Sequence, residues 1–213
     1  MVHDLSYRKD REAGMKEKGF PPVPGDALVI VDVQNDFLSG GSLAVPQGEQ
    51  IVPVANQYLR LFRSRRLPAF MTRDWHPADH VSFLARGGAW PPHCVQGTQG
   101  AAFAAELELS GEETVISKAD NRDRDSYSNF EGTDLEDRLR SFGVKRVFTG
   151  GLATDYCVLN TVRDALKLGF EVVLLTDITR AVNVKPGDGK RAEEEMIGLG
   201  ARAADYETVS FRG

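Results

Sequence analysis

Residues Ala27 to Val33 read Ala-Leu-Val-Ile-Val-Asp-Val, a nearly unbroken β-branched run with one carboxylate set into it. A strand wetted on one face alternates apolar with polar residues. A continuous run instead marks a strand covered on both faces, as in a parallel sheet with helices on either side. Similar segments recur along the chain: Leu67 to Thr72, Thr114 to Ser117, Lys145 to Thr149 and Phe170 to Thr176 read as the second to fifth strands, and Ala203 to Ser210 as holding a short sixth. Helical spacing separates them. It runs over Ile51 to Phe62 with Val54, Tyr58, Leu59 and Phe62 on one face, over Asp134 to Phe142, over Asp155 to Leu168 and over about Gly189 to Gly198, with Gly169 placed to end the third of these. Alternating strands and helices predict a doubly wound α/β fold. Residues 1 to 24 end in Pro21-Pro22-Val23-Pro24, so they read as an N-terminal arm ahead of a single domain over 25 to 213.

Composition narrows the function. The 213 residues carry a net charge of −5 with both signs interspersed, which gives no basic surface for nucleic acid and favours small-molecule partners. No stretch approaches the roughly 20 apolar residues that span a bilayer, and the charged start lacks an apolar signal core, so a cytoplasmic protein with no membrane partner is expected. Cys94 and Cys157 match no disulfide framework, zinc ribbon or CxxC site, and both are expected as free thiols. The oligomeric state is left open, with room for a homo-oligomer.

In doubly wound sheets ligands bind at the carboxyl ends of the strands, and unusual residues gather there. Asp32 stands near the end of the first strand, where an unpaired carboxylate would be costly. Lys118 follows the third, and Cys157 follows the fourth across Gly150-Gly151. Thr154 is placed to cap the helix that carries Cys157, and a sulfur in the first turn would have its pKa drawn toward neutrality by the helix dipole. A base, a cation and a nucleophile at neighbouring strand ends are the parts of covalent catalysis. Cys94 has no such surroundings and reads as a packing residue.

Three of the four histidines lie in Asp74-Trp75-His76-Pro77-Ala78-Asp79-His80 and Trp90-Pro91-Pro92-His93-Cys94. Asp74 and His76 project the same way from an extended backbone, and Gly87, Gly88 and the paired prolines allow His93 to return to them. One carboxylate and two imidazoles suit a first-row divalent ion with positions left for water and substrate. Pro77 turns His80 aside, leaving it between ligand, support and solvent. Phe37, Trp90, Tyr127 and Tyr156 flank these residues and would line a slot for a flat ring.

Over about residues 26 to 210 the chain resembles the isochorismatase-like cysteine hydrolases, and among them the nicotinamidases, also called pyrazinamidases. The likeness rests on DVQNDF at Asp32, TRDWHPADH at Thr72, WPPHCVQGTQGA at Trp90, SKA at Ser117, YSNFEG at Tyr127 and TGGLATDYCV at Thr149. It implies a six-stranded parallel sheet flanked by helices, a catalytic triad of Asp32, Lys118 and Cys157, and one divalent ion (zinc, manganese or iron) held by Asp74, His76 and His93. It further implies a cis peptide between Leu152 and Ala153, an oxyanion hole from the N–H groups of Ala153 and Cys157, and hydrolysis of nicotinamide to nicotinate and ammonia through a thioester. In some branches a further loop residue joins the metal, which keeps His80 open. Other small-amide hydrolases of the family and a non-catalytic binding protein stay as alternatives. A phosphatase does not fit, because DVQND lacks a second aspartate two residues on, nor does a dinucleotide-binding protein, because no GxGxxG follows the first strand. The charged segment Asp120 to Asp125 lies outside every motif.

Overall fold

The computed structural model describes residues 19–211. Its centre is a six-stranded sheet built from β1 (Asp26–Val31), β2 (Ala69–Asp74), β3 (Thr114–Lys118), β4 (Arg146–Leu152), β5 (Glu171–Arg180) and β6 (Arg202–Ala204). The order is β3-β2-β1-β4-β5-β6 and every pairing is parallel. The helices are α1 (Val52–Ser64), α2 (Leu135–Ser141), α3 (Leu159–Lys167), α4 (Asp188–Gly198) and α5 (Tyr206–Ser210).

β1 explains the architecture. Leu28 and Ile30 pack into one apolar layer with Tyr58, Phe62 and Phe148, while Ala27, Val29 and Val31 join Leu135, Leu139, Val162 and Met196 on the opposite face. All five apolar residues of β1 are fully buried, so the period-two alternation persists but both of its phases face protein. The strand order reverses direction between β1 and β4, and a crevice opens there at the carboxyl ends.

The expected elements are present with shifted edges. β4 does not stop at Thr149 but continues through Gly150 and Gly151 to Leu152, so the glycine pair is strand and not turn. The pairing of β4 with β5 slips between Thr149 and Gly151, and β5 accordingly runs on to Arg180. Gly151 has φ +137°, and a Cβ there would sit 2.0 Å from the Val31 carbonyl oxygen. Only glycine permits this approach of β4 to β1. The last segment is a three-residue strand followed by α5, whose start is capped by Asp205 accepting from the Thr208 N–H at 2.8 Å. Most of the expected N-terminal arm, residues 1–18, lies outside the described residues. Its end leans on the domain through the Phe20 N–H to Thr208 carbonyl bond of 3.2 Å. Among the described residues no helix is long and apolar enough to cross a membrane.

Candidate active site

Three strand ends deliver three buried groups to one point. β1 ends and Asp32 turns out of the sheet with φ +51°, its carboxylate fully buried. β3 ends on Lys118, also buried, with its ammonium 3.0 Å from Asp32 Oδ2, hydrogen-bonded to Asp74 Oδ1 and 3.5 Å from Cys157 Sγ. Thr72 on β2 donates its hydroxyl to Asp32 Oδ1 at 2.6 Å. Asp32, Asp74 and Cys157 offer ligand-type atoms within 4.8 Å of one another, with Lys118 among them. Asp32 Oδ1 is taken by the Thr72 hydroxyl, whereas Oδ2 has the Lys118 ammonium beside it at 3.0 Å, so Oδ2 is the oxygen left to take a proton.

Burial and charge oppose each other here. Burial raises the Asp32 pKa above the ordinary value, and nearby Lys118 only partly offsets that. Burial alone would lower the Lys118 pKa, yet Asp32 and Asp74 hold it well above the usual lysine value. The cation at this position is therefore permanent at any physiological pH.

Cys157 departs from expectation. Thr154–Val158 forms a π-helical turn ahead of α3, entered from Ala153, and no side chain caps it. The Thr154 hydroxyl instead pairs with that of Thr179 at 2.7 Å. Burial pushes the Cys157 thiol up, well above the usual cysteine value, with Lys118 opposing and Asp32 reinforcing the shift. The direction is opposite to the drift toward neutrality expected from helix position alone. The wide turn has a second effect: the Ala153 carbonyl accepts from the N–H groups of Tyr156 and Val158, passing over Cys157 between them. The Leu152–Ala153 peptide is cis.

These facts set an alkylation test. Cys157 lines a cavity, whereas Cys94 is sealed, its thiol pushed up by burial and its N–H donated to Asp36 Oδ2 at 2.7 Å. Iodoacetamide should modify Cys157 before Cys94, at a rate still rising about tenfold per pH unit beyond pH 8, since only the thiolate reacts. A plateau near pH 7 would contradict the raised pKa.

Beside this group lie three further donors. Asp74 ends β2, His76 stands two residues on, and a parallel bridge from His76 to Val95 brings the segment carrying His93 alongside. The donor atoms of Asp74, His76 and His93 lie within 4.8 Å of one another, all buried. His76 Nδ1 faces the His93 carbonyl at 3.0 Å and His93 Nδ1 the Pro91 carbonyl at 2.8 Å. A carbonyl only accepts, so both rings carry a hydrogen on Nδ1, and Nε2 is the nitrogen left to meet an ion. Burial lowers the His76 pKa to about 4, which keeps that imidazole neutral. A carboxylate with two imidazoles oriented from behind fits a divalent first-row ion.

Phe37, Trp90, Tyr127 and Tyr156 all line the cavity between the sulfur and the histidines. Trp90 Nε1 donates to the Tyr127 hydroxyl at 2.9 Å, and both rings pack on Tyr156 with centroids 5.2 and 5.6 Å away. Leu43, Val45 and Val182 add apolar wall, and Ser82, Asp125 and Ser126 a polar edge. Sequence reading misses these six, which come from loops with no motif spacing, and it also misses Gln34. The Gln34 amide accepts from the Asp74 N–H and donates to the Asp74 carbonyl, each at 2.8 Å, and donates to Ala101 at 2.9 Å. That clamp fixes the backbone of Asp74, and its signal is a buried amide inside DVQND.

The isochorismatase domain model matches residues 26–204, from the first residue of β1 to the last of β6. The chain belongs to the isochorismatase family. Among members, the Escherichia coli (strain K12) nicotinamidase is 40% identical over 209 residues, covering 87% of this chain and 98% of that protein. The crystal structure of Pyrococcus horikoshii pyrazinamidase in complex with zinc is similar with a TM-score of 0.83 and 49% identity, covering 86% of this chain and all of that one. L. infantum PnC1 in complex with nicotinate has a TM-score of 0.82 and 38% identity, covering 89% of this chain and 97% of the other. The isochorismatase-family sheet thus accounts for nearly the whole described chain.

Proposed function

We propose that the chain hydrolyses nicotinamide, and pyrazinamide as a close analogue, to the carboxylate and ammonia through a thioester on Cys157. The observation that carries this reading is the meeting of thiol, carboxylate and ammonium at an aromatic cavity, directly beside Asp74, His76 and His93. Likeness to nicotinamidase and pyrazinamidase relatives over almost their whole length supports this substrate over other small amides.

The geometry supports a role for each residue in this reading. Asp32 Oδ2, paired with Lys118 and not with Thr72, takes the thiol proton as sulfur attacks the carboxamide carbon. Lys118 keeps Asp32 ionised before the transfer and favours the thiolate during it. The N–H groups of Ala153 and Cys157 receive the developing oxyanion, the latter N–H being free of the Ala153 carbonyl. Asp32 returns the proton to the leaving nitrogen, and ammonia departs. A water then gives its proton to Asp32 and its oxygen to the thioester carbon, and collapse frees the acid and the thiol. Asp74, His76 and His93 would hold a divalent ion, zinc, manganese or iron, which when bound anchors the pyridine nitrogen directly or through water. Phe37, Trp90, Tyr127 and Tyr156 grip the ring faces and keep the carboxamide aimed at sulfur.

The test is an ammonia-release assay over nicotinamide, pyrazinamide, N-carbamoyl amines and isochorismate, with and without chelator. The first two should turn over and lose activity on chelation. Preferential turnover of a carbamoyl amine would replace this reading.

A further inference from the structure

The charged segment Asp120 to Asp125 is laid across the loop that follows His76. The Val81 N–H donates to the Arg122 carbonyl at 2.9 Å, and Arg86 Nη1 reaches the carbonyls of Asp79 and Arg122 at 3.1 and 3.3 Å. Ion pairs Arg86–Asp123 at 2.8 Å and Arg122–Asp79 at 3.1 Å join the same two segments. Those pairs face solvent, where such contacts contribute little. One contact is different in kind. His80 is fully buried, with Nε2 3.0 Å from the Arg124 carbonyl and Nδ1 2.8 Å from the Ser82 hydroxyl and 3.3 Å from the Ser82 N–H. A backbone N–H can only donate, so Nδ1 holds the lone pair and Nε2 the hydrogen given to Arg124. Neither nitrogen is left for an ion. The ring lies against His76 with centroids 4.4 Å apart, and the residues just past Arg124, namely Asp125, Ser126 and Tyr127, form one wall of the cavity.

We infer that His80 is a positioning residue: it bolts the Asp120–Asp125 strap to the metal-side loop and so sets the Asp125–Tyr127 wall against which substrate binds. The rival is a metal role, since His76, His80 and Asp125 also offer donor atoms within 4.8 Å of one another. The inference rests on the amidase reading for its kinetic part alone.

The experiment uses the full chain, zinc-loaded and metal-free, with His80→Ala and His80→Gln compared to wild type. Bound zinc is measured by elemental analysis, hydrogen exchange is followed over residues 120–127, and KM and kcat are measured for nicotinamide. His80→Ala should keep its zinc and exchange faster over the strap in both forms. Its KM should rise about tenfold, equivalent to about 1.4 kcal/mol, with kcat changed far less. His80→Gln places an amide nitrogen near the position of Nε2 and should restore both protection and KM. Loss of the bound zinc, unchanged exchange over the strap, or unchanged KM in an active enzyme would each overturn the inference. Should the alanine variant not fold, the glutamine variant decides: retained zinc with a protected strap supports the positioning role, and lost zinc overturns it. If wild type does not turn over nicotinamide, the functional reading fails by itself, and the zinc and exchange measurements still decide the role of His80.

Discussion

Cys157→Ala is expected to abolish ammonia release from nicotinamide while leaving the protein folded. Removing the nucleophile of a hydrolase that works through a covalent intermediate lowers kcat on the order of 10⁶-fold, because the remaining groups then act on a water that nothing holds in line. Asp32 and Lys118 keep their mutual pairing without the sulfur, since the ammonium also bonds Asp74 and the carboxylate still accepts from Thr72. Thermal unfolding should therefore shift only slightly. Cys157→Ser is the sharper form, since it preserves shape and a donor but offers a far weaker nucleophile, and it too should be inactive. Measurable turnover by the alanine variant at wild-type rates would remove the thioester from the mechanism.

Lys118→Met is expected to injure both fold and chemistry. It leaves Asp32 and Asp74 buried with no counter-charge, and breaking a buried ion pair from one side costs about 3–5 kcal/mol. The loss should depend on pH in a set direction. Without the ammonium both carboxyls have folded pKa values above those of the unfolded chain, so the folded state binds more protons and stability falls as pH rises through that window. Urea unfolding of the metal-free variant should show a deficit small near pH 4 and growing toward pH 8. Activity should vanish throughout, as Asp32 would then stay protonated. A deficit independent of pH would mean that packing of the lysine stem, and not its charge, is what the site needs.

The sheet is legible in the sequence because β1 is apolar in both phases of its alternation, which leaves no other environment for it. The candidate site is legible where chemistry-bearing side chains follow strand ends, as Asp32, Asp74, His76, Lys118 and Cys157 do, and His93 stands out by its clustering with the other histidines. The continuation of β4 through Gly150-Gly151 is hidden, because glycine has poor strand propensity and its purpose there, clearing the Val31 carbonyl, is visible only in three dimensions. The π turn is hidden too, since one added residue in a helical turn leaves no mark on apolar spacing. The direction of the Cys157 pKa shift escapes sequence reading for a related reason: helix position is written in sequence, whereas desolvation comes from everything packed around it. Asp205 is the opposite lesson. An Asp three residues before Thr208 is a cap signal open to reading, and the reading of Ala203 to Ser210 as holding only a short strand passes over the helix that it starts.

β3 is an outermost strand, paired with β2 alone, and it carries Lys118. The ammonium of the candidate site therefore hangs from the margin of the sheet, where strands detach most readily. Transient peeling of that margin would withdraw the ammonium and strand two anions in a dry pocket, switching the centre off long before the molecule comes apart. On heating, catalysis should thus fade ahead of global unfolding, and any ligand that pins the margin would act as a guardian of turnover more than of the fold.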